Sequence, residues 1–282
     1  MAEFFHAVAH HAFMQYALMT GLLASVACGV VGTYVVTRRI SYIAGGIAHS
    51  VLGGMGLAYY LRVVHGWSWL KPLYGALAAA MVAAVVIGVV SLRAKEREDT
   101  VIGAVWAIGM ALGIIFIYQT PGYTEDLMSY LFGNILMVTS GDLWLIGALD
   151  VLVLAVGLLF YNQIAAVCFD EVFARTRGMK VDFYYLLLLC LTALTVVILA
   201  TVVGIVLVIA LLTLPVAAAG MVTKSLRKNM ILATLLTAII VIAGLAVSYA
   251  PDLPAGATTI VVAGITYLVF FLGSRWRPNR RR

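Results

Sequence analysis

The stretch SYIAGGIAHSVLGGMGLAYYL, residues 41–61, contains His49, the only histidine set within a long apolar segment of the chain. It also holds five glycines, which let another backbone or a small ion approach closely: Gly45, Gly46, Gly53, Gly54 and Gly56. An imidazole at membrane depth is costly unless it faces a partner or a water-filled path. Two interpretations of His49 are open: a residue that lines a path through the membrane, and a packed, hydrogen-bonded core histidine.

The composition of the chain is typical of an α-helical membrane protein. Of its 282 residues, 64% are hydrophobic and 11% are charged, whereas soluble domains have about 45–50% apolar and about 25% charged residues. The mean hydropathy is +1.08, and apolar runs of about 20 residues recur along the chain. The net charge of +6 comes from small basic clusters between these runs, which indicates membrane topology rather than nucleic-acid binding.

The hydropathy predicts an all-α polytopic membrane protein with about nine transmembrane helices. The expected spans are residues 13–36, 44–64, 73–92, 101–118, 141–161, 183–202, 203–222, 230–250 and 257–274. The sixth and seventh share one apolar run that is too long for a single crossing, and we divide it near residues 201–204. The domain prediction is one transmembrane unit, with an extracytoplasmic segment 1–12, a helical bundle 13–274 and a basic cytoplasmic tail 275–282.

The positions of the basic residues predict the orientation. With the N-terminus outside and the C-terminus in the cytoplasm, all of the 18 Lys and Arg residues except Arg62 and Lys71 lie in inside loops or the tail. This distribution satisfies the positive-inside rule. An odd number of spans follows from the same assignment.

Residues 119–140 form a less regular stretch. Its apolar core, residues 127–138, is too short to cross a bilayer but suits a re-entrant or interfacial helix, which places Glu125 and Asp126 near the outer mouth. Three histidines precede the first span and form a possible outer metal contact or a disordered terminus: His6, His10 and His11.

Signatures of soluble enzymes are absent from the sequence, which contains no GxxxxGK[ST], HExxH or GxSxG motif and no CxxC pair. The three cysteines are predicted to be core residues. Asp150 is the one acid deep in a predicted span, where it either pairs with a neighbouring helix or belongs to an ion path. We therefore predict that this chain is not an enzyme and binds no cofactor.

The inside loop CFDEVFARTRGMKVD, residues 168–182, predicts a short surface helix. Asp170 and Glu171 suit the positive N-terminal end of a helix, and Gly178 can terminate it. The loop is either simply solvated or a lever on which a cytosolic partner acts. Pro215 falls inside a predicted span beside small residues, where it forms either a hinge or a static kink.

Four stretches together resemble the membrane permease subunit of the ABC importers for zinc, manganese and iron. These are residues 41–61, the segment DLMSYLFGNILMVTSGDLWLI at 126–146, the segment VGIVLVIALLTLPVAAAGMVT at 203–223, and FDEVFARTRG at 169–178. They occur in the order that the family has, and the likeness covers most of residues 13–273.

The resemblance implies a homodimeric permease in the bacterial cytoplasmic membrane. Cytosolic ATP-binding subunits would hydrolyse ATP and dock on the loop at 169–178, and an extracytoplasmic metal-binding protein would deliver the divalent metal. His49 matches the pathway histidine of the family, with Gly45, Gly46 and Asp150 as further path candidates. The coupling candidates are Asp170, Glu171, Ala174, Arg175 and Gly178.

The sequence departs from the family at one position of the expected metal site. Many members have an aspartate four residues before the histidine, where this chain has Gly45. Imidazole with oxygen ligands accepts zinc, manganese and ferrous iron, so the sequence does not name the metal. Two other functions stay open: a self-sufficient secondary metal carrier, and an ABC permease for metal chelates such as siderophores or cobalamin.

Overall fold

The computed structural model describes residues 7–93, 98–121 and 135–275. Its long helices follow one another through short connections, and a 3₁₀ turn at Ile135–Met137 precedes the fifth. The helices, labelled α1 to α11 in chain order, are Ala12–Arg38, Ser41–Val64, Pro72–Arg93, Glu98–Gln119, Ser140–Leu159, Tyr161–Phe169, Glu171–Thr176, Val181–Val203, Ile205–Val222, Leu226–Tyr249 and Ala255–Arg275.

In the described ranges, nine helices are long and apolar enough to cross a membrane, namely α1–α5 and α8–α11. The predicted spans are confirmed, with boundaries that differ by a few residues. The predicted division of the long apolar run is also confirmed, because α8 ends at Val203 and α9 begins at Ile205. Gly204 between them has φ 93° and ψ 150°, a conformation that is essentially restricted to glycine.

The centre of the bundle is formed by α1 and α8, which are the most buried spans, while α4 and α11 lie at the periphery. The helix α1 packs against α5, α9 and α10, and α8 packs against α3 and α9. One polar contact in this core joins α1 to α5, where the hydroxyl of buried Tyr34 donates to the carbonyl oxygen of Gly157 at 3.2 Å.

The stretch that was predicted to be re-entrant is described only at its ends, and residues 122–134 lie outside the described ranges. After the 3₁₀ turn, Thr139 begins α5 with a capping box. The backbone amide of Thr139 donates to the Asp142 carboxylate at 2.9 Å, and the Asp142 amide donates to the Thr139 hydroxyl. This exchange satisfies two donors that a helix start otherwise leaves open.

The connection between α5 and α8 contains two short helices, α6 and α7. The sequence predicted α7, and the structure confirms it, whereas α6 was not predicted. Asp170 caps α7 by accepting a hydrogen bond from the Phe173 amide at 2.8 Å. Gly178 has φ +74°, which allows the chain to leave the helix at the predicted glycine. We call this end of the bundle, where α1 ends and α2 begins, the inner end after its predicted orientation.

Candidate functional site

The helix that carries His49 packs against α4 through glycines with almost no space between the backbones. A Cβ atom added to Gly53 would lie 2.7 Å from the carbonyl oxygen of Gly109, and one added to Gly56 would lie 2.8 Å from that of Gly113. These pairs advance together along both helices, so α2 and α4 run parallel. We call this contact the glycine seam, and its closeness leaves no room for a Cβ atom at these positions.

A second close contact holds α2 from another side. A Cβ atom on Gly54 would lie 2.1 Å from the carbonyl oxygen of Gly75 in α3. The backbone of α2 is therefore fixed between α3 and α4, which share most of its packing contacts.

His49 lies beside the glycine seam with its ring parallel to that of Trp106. The ring centroids are 4.5 Å apart and the planes differ by 5°. The indole Nε1 of Trp106 donates to the Met110 sulfur at 3.0 Å, which fixes the indole in turn. His49 is partly exposed, and eight residues of α2 precede it, which is about 12 Å of helix. One face of the imidazole is thus covered, and the ring is held in a defined plane about two helical turns from the start of α2.

The space one helical turn before His49 is open. A Cβ atom on Gly45 would meet only the Ile209 Cδ1 atom of α9, at 4.0 Å. By contrast, a Cβ atom on Gly46 would lie 2.5 Å from the Ile102 side chain. Positions 45 and 49 share a helix face, so a side chain at position 45 would lie next to the imidazole. In the described part of the chain, no group of three or more His, Cys, Asp or Glu residues surrounds a possible metal position.

Asp150 is buried in α5, with 6% of its surface exposed. Neither of its carboxylate oxygens has a hydrogen-bond partner of good geometry among the described residues. The group faces Ala27 and Cys28 of α1. Asp150 therefore lies against α1, whereas His49 lies against α4, and the two predicted path residues occupy different helix interfaces.

Two of the five predicted coupling residues, Glu171 and Arg175, take part in one ionic network around α7. Glu171 accepts hydrogen bonds from Arg38 of α1 and, at 3.1 Å, from Arg175. Arg175 also donates to Asp182 at the start of α8. Ala174 is fully buried beneath the helix. Burial acts to raise the pKa of Glu171, but the hydrogen bonds from Arg38 and Arg175 outweigh it, and the pKa is lowered overall.

The exposed side chains of α7 and the adjoining helix ends include several apolar ones. Val172 is 74% exposed, and three phenylalanines of α6, α7 and α8 are also exposed: Phe169, Phe173 and Phe183. Exposed apolar side chains of this kind are typical of surfaces that contact a partner.

The other predicted site residues are less informative. Pro215 is buried inside α9, which continues as a helix on both sides of it. His11 precedes α1 and its ring lies 5.7 Å from that of Phe13, whereas His6 lies outside the described residues. The possible hinge and the possible outer metal contact stay predictions.

Two residues of this arrangement, Trp106 and Arg38, were not predicted from the sequence. Trp106 lies among Gly103, Gly109 and Gly113 in the fourth span, and this small-residue spacing was the signal that the span packs closely against another helix. Arg38 was counted only as a topology charge, although its position directly before the His49 span was visible in the sequence.

Known proteins that are similar to this chain identify its family. The ABC 3 transport family matches residues 10–274. A probable metal transport system membrane protein of Chlamydia pneumoniae is 40% identical over 93% of this chain and 89% of its own length. The manganese transport system membrane protein MntC of Listeria monocytogenes is 36% identical over 95% of this chain and 93% of its own length.

A solved structure shares the fold. The chain superposes on PsaBC from Streptococcus pneumoniae, determined in complex with Fab, with a TM-score of 0.83 and 31% sequence identity. The match covers 96% of this chain and 95% of that one. With the family match over nearly the whole chain and the nine apolar helices, these likenesses confirm the resemblance found in the sequence. The chain belongs to the ABC 3 transport family and is a multi-pass permease subunit of the bacterial cytoplasmic membrane.

Proposed function

We propose that this chain forms the path by which an ABC importer carries a divalent transition metal into the cell, with manganese as the first cargo to test. The observation that carries the proposal is the partly exposed imidazole of His49, held in a fixed plane within a bundle of this family. The relatives from Chlamydia and Listeria are named for metal transport and for manganese transport, which supports the choice of cargo.

The proposal assigns the energy source to partner subunits. ATP would be hydrolysed by two cytosolic subunits that dock on α7, and the exposed apolar side chains of Phe169, Val172 and Phe173 support this assignment. Two copies of the permease would enclose the path, and an extracytoplasmic binding protein would deliver the metal. The chain itself would then move between states in which the path opens to one side of the membrane or the other.

The alternatives differ in what they require of the spans. A secondary carrier needs ionisable groups within several spans to couple ion movement, and the spans here offer chiefly His49 and Asp150, on separate interfaces. A permease for metal chelates surrounds a larger cargo and needs no imidazole contact with the ion. Metal selectivity and the effect of removing His49 therefore distinguish the three functions.

The test is uptake of radioactive manganese by cells that express the chain with its ATPase and binding protein, or lack one of these. His49→Ala is compared with His65→Ala, which removes an exposed histidine that follows the same helix. We expect uptake to require the ATPase, to collapse in His49→Ala and to persist in His65→Ala, while all variants assemble equally. Zinc and ferrous iron are offered as competitors.

Each other result points to a different function. ATPase-independent uptake by the chain alone would favour a secondary carrier. Unchanged manganese uptake in His49→Ala would show that the histidine is a packing residue. Competition by a ferric chelate, without competition by free divalent metals, would favour the chelate permease.

A further inference from the structure

The side chain of Arg38 connects the predicted ATPase-facing helix to the body of the bundle. Arg38 is in the last turn of α1, and its guanidinium donates to the carboxylate of Glu171 in the first turn of α7. Among the described residues, this is the ion pair that joins α7 to α1. The pair therefore links α7 directly to the end of α1.

Other helices hold the guanidinium of Arg38 in place. Its Cζ atom lies 5.4 Å from the ring centroid of Tyr185 in α8, within range of a cation–π contact. The hydroxyl of Tyr185 is 3.3 Å from that of Ser91 near the end of α3, at hydrogen-bond distance. Arg38 of α1 thus contacts both α7 and α8, and the Tyr185 ring beside it is in turn held by α3.

The chain beyond Arg38 leads directly into the helix that carries His49. Arg39 has φ 63° and ψ 33°, and its amide and that of Ile40 donate to the last carbonyls of α1, which ends the helix in a tight turn. Helix α2 then begins at Ser41. Because the connection is so short, α1 and α2 cannot move independently at this corner.

We propose that Arg38 is a positioning residue that transmits movement of α7 through the corner between α1 and α2 to His49. The proposal rests on the proposed function, since it assumes that α7 is moved by an ATPase and that His49 contacts the cargo. In this proposal, the Arg38–Glu171 pair makes the end of α1 follow α7, and α7 follow the end of α1. The link from Arg175 to Asp182 keeps α7 attached to α8 and does not reach α1.

The pair suits mutational analysis because it is not a deep part of the core. About a quarter of each side chain is exposed, 24% for Arg38 and 29% for Glu171, so its contribution to folding is expected to be small. The neighbouring Arg39 is an exposed matched control. Arg39→Asn removes the same charge at the same end of the bundle, and asparagine tolerates the left-handed conformation of that position.

The experiment uses the complete transporter, with its ATPase, in proteoliposomes supplied with the manganese-loaded binding protein. Manganese uptake and ATP hydrolysis are measured together for wild type, Arg38→Gln, Glu171→Gln, the double variant and Arg39→Asn. We expect each single variant of the pair to lower uptake per ATP hydrolysed by about fivefold. The double variant should be no worse than Glu171→Gln alone, because that change already removes the pair with Arg38 along with the one with Arg175. Arg39→Asn should behave as wild type.

The inference is overturned if Arg38→Gln keeps uptake per ATP at the wild-type value, or if the effects of the two single variants multiply in the double variant. Should Arg38→Gln fail to assemble, Glu171→Gln tests the same pair from the other side. A wild-type transporter that hydrolyses ATP but imports no manganese would contradict the proposed function instead.

Discussion

The glycine seam makes a quantitative prediction about a single added methyl group. In Gly109→Ala, the new Cβ atom would lie 2.5 Å from Ser50 Cα, 2.8 Å from Ser50 Cβ and 2.9 Å from the Ser50 carbonyl oxygen. Carbon atoms in contact prefer about 3.5–4.0 Å, and the crowding atoms belong mostly to the backbone, which cannot rotate away. The helices α2 and α4 must therefore separate by about 1 Å.

The expected cost follows from this overlap. Overpacking of a well-packed interior costs about 1–3 kcal/mol, whereas exchanging glycine for alanine inside a helix gains up to about 1 kcal/mol of helix propensity. Gly103→Ala is the matched control on the same helix, because a Cβ atom there meets nothing within 4 Å. Since the propensity gain applies to both variants, their stabilities should differ by about 1–3 kcal/mol, with Gly109→Ala the less stable.

The buried thiols of this chain provide the assay. Cys28 and Cys168 are buried and free, so a fluorogenic maleimide reacts with them only as the protein unfolds on heating. The partly exposed Cys190 is replaced by serine in every variant. The Gly109→Ala midpoint should fall several degrees below that of Gly103→Ala, at roughly 2–4 °C per kcal/mol.

The same variants are tested for uptake, because separation of α2 from α4 also separates the stacked rings of His49 and Trp106. We expect Gly109→Ala to transport less manganese than Gly103→Ala at equal amounts of assembled protein. If both variants unfold at the same temperature and transport equally, α2 and α4 are not held by close backbone contact, and the reasoning fails.

Three further predictions concern the surroundings of His49 and the buried acid. Trp106→Ala removes the ring that stacks on His49 and should raise the manganese concentration for half-maximal uptake by about three- to tenfold. Trp106→Phe keeps an aromatic ring and should stay near wild type, so equal effects of the two variants would exclude stacking as the cause. Gly45→Asp should place a carboxylate beside His49 in the open space. In a titration of the purified transporter, manganese binding should strengthen by about tenfold, the equivalent of about 1.4 kcal/mol. Equal loss of uptake in Gly45→Ala and Gly45→Asp would instead show that the ion needs this space. Asp150→Asn should keep uptake and the unfolding midpoint, because the carboxylate oxygens have no hydrogen-bond partner of good geometry among the described residues. Loss of uptake with normal assembly would place Asp150 in the ion path.

The spans of this protein were predictable because the bilayer imposes a simple rule on the sequence. Apolar runs of sufficient length must be helical, since a lipid-exposed backbone needs its own hydrogen bonds. Even the division of the long run near Gly204 followed from its length alone. The helix α7 was predictable for a similar local reason, because its acidic start and its glycine stop act within a few residues.

The partners of the functional side chains depended on the tertiary structure. His49 was recognisable in the sequence as a costly group in an apolar run, but its stacking on Trp106 depends on the register at which α2 and α4 meet. That register is decided by which glycines come to face each other, a property of two distant segments together. In the same way, the sequence determined that Arg38 is a basic residue at the inner end, whereas only the folded bundle brought it to Glu171, 133 residues away. Local rules act over a few residues, and contacts between helices are decided by packing across the whole chain.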